Sequence, residues 1–155
     1  PSKRFFWAIM AFSGLRFFEA LELTHEQIDT DNKKLKVKGK GNKLVVIPIS
    51  NRFIEEYQKF LKTSNTSKGR LFEDSYNGTE NNLLKATAKK INLDSNGVIS
   101  CHRFRHSFAS NLLRNGASII AVSKLMRHEN PSLTLNIYSH CLPDDLGQTL
   151  ELLTK

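Results

Sequence analysis

Six side chains in this sequence have the types that phosphate chemistry uses: Arg16, Lys40, His102, Arg105, His128 and Tyr138. His102 and Arg105 stand three apart, so on a helix they share a face. If that helix begins at Cys101, both lie in its first turn, where backbone N–H groups and the helix dipole favour an anion. The apolar residues Phe104, Phe108 and Leu112 mark its core face. Phe104 and Phe108 lie on the other side from His102 and Arg105, so packing does not demand that pair. A solvated basic face is the plainer account of it. His102 and His106 also have a helical metal-ligand spacing, but Arg105 between them would repel a cation. The residues therefore point to no bound metal and to no cofactor.

The other four read in two ways each. Arg16 starts a helix among the apolar Leu15, Phe17 and Phe18, and a buried guanidinium needs an anion. Glu19, one turn along, is one such partner; a phosphate, gripped by two parallel N–H bonds, is the other. Lys40 sits in a glycine-flanked hairpin tip, where it is either solvated or carried into a groove of DNA. His128 follows a helix ending at Met126-Arg127 and precedes a capping turn, a position that also suits a surface residue. Tyr138 ends a short helix, where a structural tyrosine is equally at home.

The elements that must hold these groups follow from periodicity. Phe5, Ile9 and Phe12 predict a first helix ending near Ser13-Gly14, and a second runs from Arg16 to about Leu21. Leu35 and Val37 alternate with Lys34, Lys36 and Lys38, which predicts a half-buried strand with a basic outer face. Gly39 to Asn42 is turn chemistry, Leu44 to Ile49 is a second strand, and His25 to Asp29 is a third, shorter one. Helices are predicted around Phe53, Tyr57, Phe60 and Leu61, and around Leu84, Ala88 and Ile91, with turn chemistry from Asn92 to Gly97. Ser100 is the expected N-cap of a helix from Cys101 to Asn115, closed by Gly116. Ser118 caps a helix carrying Ile119, Val122, Leu125 and Met126. Asn130-Pro131 opens another that reaches Tyr138, and Leu146, Leu150 and Leu153 suggest a last one. The fold class is mixed: mainly α, with a small antiparallel three-stranded β-sheet.

A chain of 155 residues fits one domain with its own core. Its net charge of +8 calls for a polyanionic partner, either nucleic acid or an anionic membrane surface. No apolar run has the length of a membrane-spanning helix, and the opening residues lack a signal-peptide layout. The chain lacks an initiator Met and reads as a fragment of something longer. Cys101 and Cys141 form neither a metal knuckle nor a disulfide framework, so a reducing cytoplasm is the expected compartment.

Taken in order, several stretches resemble the tyrosine recombinases, also called phage integrases. They are Ser13-Gly14-Leu15-Arg16-Phe17-Phe18-Glu19, then Gly39-Lys40-Gly41-Asn42-Lys43, then His102-Arg103-Phe104-Arg105-His106-Ser107-Phe108-Ala109-Ser110. Leu125-Met126-Arg127-His128, Pro131 and Ile137-Tyr138-Ser139-His140 complete the set. The resemblance covers nearly the whole chain. It departs from the family at Arg127, where glycine is usual, at Phe18, where a small or polar residue is common, and at Cys101, where Pro or Thr often stands.

The resemblance implies an integrase-like catalytic core over residues 1–155, with the family's first catalytic-domain helix and its N-terminal DNA-clamping domain missing. It also implies the roles. Tyr138 attacks a phosphodiester and forms a 3′-phosphotyrosine bond; Arg16, Arg105 and His128 hold the phosphate oxygens. Lys40 protonates the 5′-oxygen, and His102 assists proton transfer from Tyr138. The expected partner is double-stranded DNA, bound by a homotetramer, with the isolated fragment a monomer and no membrane involved. Lys34, Lys36, Lys38, Lys89 and Lys90 are candidate phosphate contacts, for which simple solvation is the equal alternative. Three rival functions stand beside this one. They are a helix-turn-helix-like binding module over Asn111 to Met126, a type IB topoisomerase, and a metal-dependent nuclease using His102, His106 and His128.

Overall fold

Helix α1, Ser2–Ser13, buries Phe5, Phe6, Ile9 and Met10 along one side, as a helical repeat of apolar residues requires. It ends where Gly14 turns into the left-handed region at φ +62° and donates its N–H to the Met10 carbonyl at 3.1 Å. This computed structural model describes residues 2–39, 41, 43–64, 66–72, 77–93 and 99–142. They fall in two compact units, Pro1–Phe108 and Ala109–Lys155.

In the first unit α1 packs on α3, Asn51–Leu61, and on α2, Phe17–Leu21. The α1–α3 seam is aromatic. The rings of Phe5 and Phe60 stack at 4.8 Å, and Phe6 meets Phe72 edge-on at 5.2 Å. Ser50 caps α3 by accepting from the Phe53 N–H at 3.3 Å. Helix α4, Asn77–Lys90, is tied to α1 by an ion pair between Lys3 and the fully buried Glu80. Leu84 and Ala88 are buried as expected, but Ile91 is 60% exposed. The helix has closed before it: Asn92 is left-handed, and Leu93 N–H reaches back to the Ala88 carbonyl at 3.0 Å. Residues 94–97 of the expected turn lie outside the described residues.

The sheet is antiparallel in the order β1 (Ile28–Asp29), β2 (Lys34–Lys38), β3 (Leu44–Pro48). Leu35 and Val37 face the core and the three β2 lysines face out. The register pairs Lys36 with Val46 and Lys38 with Leu44. Cross-strand partners share a face, so the basic face also carries Leu44 and Val46, 64% and 54% exposed.

The expected strand from His25 is shorter than predicted. His25–Gln27 form a 3-10 turn, and only Ile28–Asp29 is extended. The cause is local: Gln27 Oε1 accepts from the Thr24 N–H at 2.8 Å in a capping box. The His25 ring is buried against Phe60, with its Nδ1 2.8 Å from the Tyr57 hydroxyl.

Helix α5 spans Cys101–Arg114. The first N–H, of Cys101, is taken by Asn81 Oδ1 at 2.8 Å, while the Ser100 carbonyl accepts from Arg103 N–H. Its most buried residues are Cys101, Arg105, Ala109 and Leu113, with Phe104, Phe108 and Leu112 only half-buried. The predicted core face is therefore displaced by one residue, because a charged side chain occupies its middle.

In the second unit Gly116, at φ +82°, closes α5. Ser118 caps α6, Ile119–Met126, through the Ala121 N–H at 3.2 Å. Asn130 caps α7, Pro131–Tyr138, through the Ser132 N–H at 2.9 Å. Helices α6 and α7 pack together, and a 3-10 turn at Ser139–Cys141 follows. The helix expected around Leu146, Leu150 and Leu153 lies outside the described residues. Among those described, no helix is long and apolar enough to cross a membrane.

Candidate active site

The turn between α1 and α2 places Arg16 at the N-cap of α2. Its guanidinium lies 2.8 Å from Glu19 Oε1, and its backbone N–H donates to Glu19 Oε2 at 2.7 Å. The plainer partner foreseen for Arg16 is thus present. The pair is surface-exposed at the arginine end, where such a bridge contributes little stability but fixes where the guanidinium points. Beside it Phe18, the departure from the family pattern, is exposed.

Arg105 does not lie on a solvated face. It is only 3% exposed, and its guanidinium donates to the backbone carbonyl of Gly14. This overturns the expectation that the His102–Arg105 face is unneeded for packing: a buried guanidinium is tolerable because a carbonyl is there to receive it.

His102, one turn before Arg105, is exposed as a residue. Partial desolvation of its ring lowers its pKa, and the charges of Arg105 and Arg16 lower it further. Desolvation first and both arginines after it therefore disfavour the charged imidazole and favour the neutral form, the one that accepts a proton. The His106 ring meets it edge-to-face at 4.6 Å and is itself held low, by burial and then by His102, Arg105 and Arg103. Among the described residues no group of three His, Cys, Asp or Glu side chains is placed to hold a metal ion. The Cys101 thiol is pushed up to about 11 by burial and by Glu80, which leaves it inert.

The second unit carries His128 and Tyr138. Arg127 closes α6 in the left-handed region, at φ 55° and ψ 44°. That conformation is one glycine adopts without strain, which fits the resemblance's expectation of glycine at this position. It keeps the turn in spite of the side chain, with His128 N–H bonded to the Ser123 carbonyl at 3.1 Å. His128 Nδ1 lies 2.6 Å from the hydroxyl of the buried Thr134. Tyr138, the last residue of α7, is 2% exposed.

Lys40 lies outside the described residues; the strands leading to it are closed by the Gly39 N–H on the Lys43 carbonyl at 2.8 Å. Lys34, Lys36 and Lys38 are exposed on β2, and Lys89 and Lys90 at the end of α4. Arg16, His102 and Arg105 thus come together in the first unit, with His128 and Tyr138 in the second. Gly14 and Thr134 were not singled out from the sequence as site residues. Gly14 was legible as a helix end and as a member of the Ser13–Glu19 stretch that carries the resemblance, but not as a site residue, and nothing in the sequence marks Thr134.

The family model described as the phage integrase family matches residues 2–144. The tyrosine recombinase XerA of Pyrococcus horikoshii is 31% identical over 148 residues, 90% of this chain and 50% of the relative. The tyrosine recombinase XerD of Brucella suis biovar 1 is 34% identical over 145 residues, 86% of this chain and 46% of the relative. The chain therefore spans about half the length of these relatives. A solved structure of the XerH site-specific recombinase, bound to a palindromic difH substrate after cleavage, superposes with a TM-score of 0.76 at 20% identity. That likeness covers 99% of this chain and 46% of the other.

Proposed function

Since the chain belongs to the phage integrase family, the tyrosine recombinases, we propose that it is the catalytic domain of a site-specific DNA recombinase. It cuts and rejoins duplex DNA through a 3′-phosphotyrosine intermediate. The observation that carries this reading is the grouping of His102 with Arg16 and Arg105, two anchored guanidinium groups that act on one imidazole.

In the proposed reaction the Tyr138 oxygen attacks the scissile phosphorus, and the bond to the 5′-oxygen breaks. The phosphate stays esterified to the protein, so the 5′-hydroxyl of another strand can reverse the step without an outside energy source. Charge grows on the non-bridging oxygens. Arg16 and Arg105 offset it as preorganised donors, and His128 adds a third; removing one such donor costs roughly 3–4 kcal/mol where it has been measured. A phenol is mostly protonated at neutral pH, so a neutral His102 is suited to take its proton. Lys40 is the proposed acid for the departing 5′-oxygen. Tyr138 is buried, so DNA binding must uncover it. The Lys34, Lys36 and Lys38 face is suited to phosphate contact without sequence readout, as are Lys89 and Lys90.

We assign residues 1–155 to this one catalytic domain, acting as a homotetramer on two duplexes in the cytoplasm. The test is an SDS-resistant protein–DNA adduct on nicked duplexes carrying the protein's own target sequence. The parent should form it, and Tyr138→Phe should bind the same DNA without forming it. An undiminished adduct in Tyr138→Phe would refute the assignment. Relaxation of supercoiled DNA with no recombinant product would favour a topoisomerase.

A further inference from the structure

We propose that Gly14 is a positioning residue for this chemistry, its carbonyl holding the Arg105 guanidinium in place and its bare α-carbon making that contact possible. The inference rests on the recombinase reading for its consequence, and on geometry for its substance.

Gly14 is touched from α5 at two points. Its carbonyl accepts from Arg105. A Cβ built on its α-carbon would lie 2.5 and 2.7 Å from Cδ1 and Cε1 of Phe108, well inside van der Waals contact. Arg105 and Phe108 are three apart on α5 and so share a face, which corrects the expectation that Phe108 lies on the other side from Arg105. The backbone at Gly14 therefore packs directly against that face. The clash reaches back to Cγ of the ring, at 3.3 Å, and not only to the loose end of a flexible chain, so an added methyl group must shift the ring or the turn, and the proposal is that the turn moves away from α5. The backbone is also left-handed there, at φ +62°, where any side chain is strained.

The direction of that push matters. It would lift the carbonyl off a guanidinium that is 3% exposed and needs its acceptors. The same turn leads within two residues to Arg16, the N-cap of α2. One backbone segment thus fixes both guanidinium groups that act on His102. Gly14 touches no substrate in this account; it acts through Arg105.

The experiment compares the parent, Gly14→Ala, Arg105→Ala, Phe108→Ala and the Gly14→Ala/Phe108→Ala double variant in the intact protein. Single-turnover adduct formation is measured on two nicked duplexes, one with the natural scissile phosphate and one with a methylphosphonate there. The neutral methylphosphonate develops less negative charge and needs less of Arg105. Gly14→Ala should slow adduct formation on phosphate on the order of 100-fold, as a displacement of about 1 Å does at a reacting centre. Its defect should shrink on methylphosphonate, as that of Arg105→Ala does. In the double variant the methyl group has room, and the rate should recover toward that of Phe108→Ala alone. Equal loss on both DNAs in a folded Gly14→Ala protein, or no loss, would overturn the proposal. Should Gly14→Ala fail to fold, the double variant is judged by the same ratio against Phe108→Ala. A readout without DNA is the solvent exchange of the Arg105 guanidinium N–H signals in nitrogen-15 NMR. It should be slow in the parent and fast in Gly14→Ala; fast exchange in the parent would refute the contact, and equally slow exchange in Gly14→Ala would refute the displacement, even if no adduct ever formed. Absence of any adduct in the parent would instead count against the recombinase reading alone.

Discussion

His128 Nδ1 lies 2.6 Å from the hydroxyl of Thr134, which stands one helical turn before Tyr138 on α7. Within the second unit this hydroxyl joins the imidazole to the helix that ends in the tyrosine. For a neutral His128 to donate to a phosphate oxygen through Nε2, the Thr134 hydroxyl must donate to Nδ1 and so fix the tautomer. Thr134→Val keeps the shape and removes the hydroxyl. Adduct formation should slow about tenfold, the worth of one hydrogen bond of roughly 1.4 kcal/mol. The same change should do little more in a His128→Ala background. Equal effects in both backgrounds would show that Thr134 does not act through His128.

Arg127 holds a left-handed backbone conformation with a long side chain. Arg127→Gly removes that strain and also a hydrogen bond from the guanidinium to the Leu125 carbonyl at 2.8 Å. Strain should prevail, and the variant should gain about 0.5–1 kcal/mol in urea unfolding. A loss of stability would mean that the side-chain bond outweighs the backbone.

The sequence made the scaffold largely legible and one half of the site much less so. The β2 strand was readable because Leu35 and Val37 alternate with lysines, and α6 and α7 because Ser118, Asn130 and Pro131 are local capping signals. Arg105 was misread because periodicity counts arginine as polar. What buries it is a carbonyl 91 positions away, and a contact at that separation leaves no trace in local spacing. The 3-10 turn at His25 was readable in principle, since Thr24 and Gln27 form a capping pair, but strand propensity alone concealed it. Thr134 could not be found, because its role comes only from packing against His128.

The pKa of His102 is depressed, so the proton-accepting form persists below the ordinary value near 6.5. Adduct formation should stay level as pH falls through that value and decline only at lower pH. His102→Gln should be slower and lack that decline. A decline centred at or above the ordinary value, or one that survives the substitution, would contradict the assignment of His102 as base.

Stability follows the same sign at His25, which burial keeps neutral in the fold. The unfolded chain protonates first, so stability is lost as pH falls from about 6.5 toward the lower folded value. Urea midpoints at about pH 7.5 and about pH 5.5 should differ, and His25→Phe should narrow the difference. An unchanged difference would move the acid sensitivity elsewhere, with His102 and His106 next to test.

Lys3 is the ion-pair partner of Glu80, whose carboxylate is fully buried. Lys3→Met should destabilise the fold by about 3 kcal/mol, because it strands a buried charge. Lys3→Met combined with Glu80→Gln should recover most of that loss. If the single variant melts like the parent, the pair is not holding α4 to α1.

The central claim is that Tyr138 becomes covalently linked to DNA, and mass spectrometry of the digested adduct tests it most directly. After trypsin and nuclease treatment the nucleotide should be found on the peptide that begins at His128, on Tyr138, linked through a 3′-phosphate. A nucleotide on any other residue, or a 5′-phosphate linkage, would contradict the account.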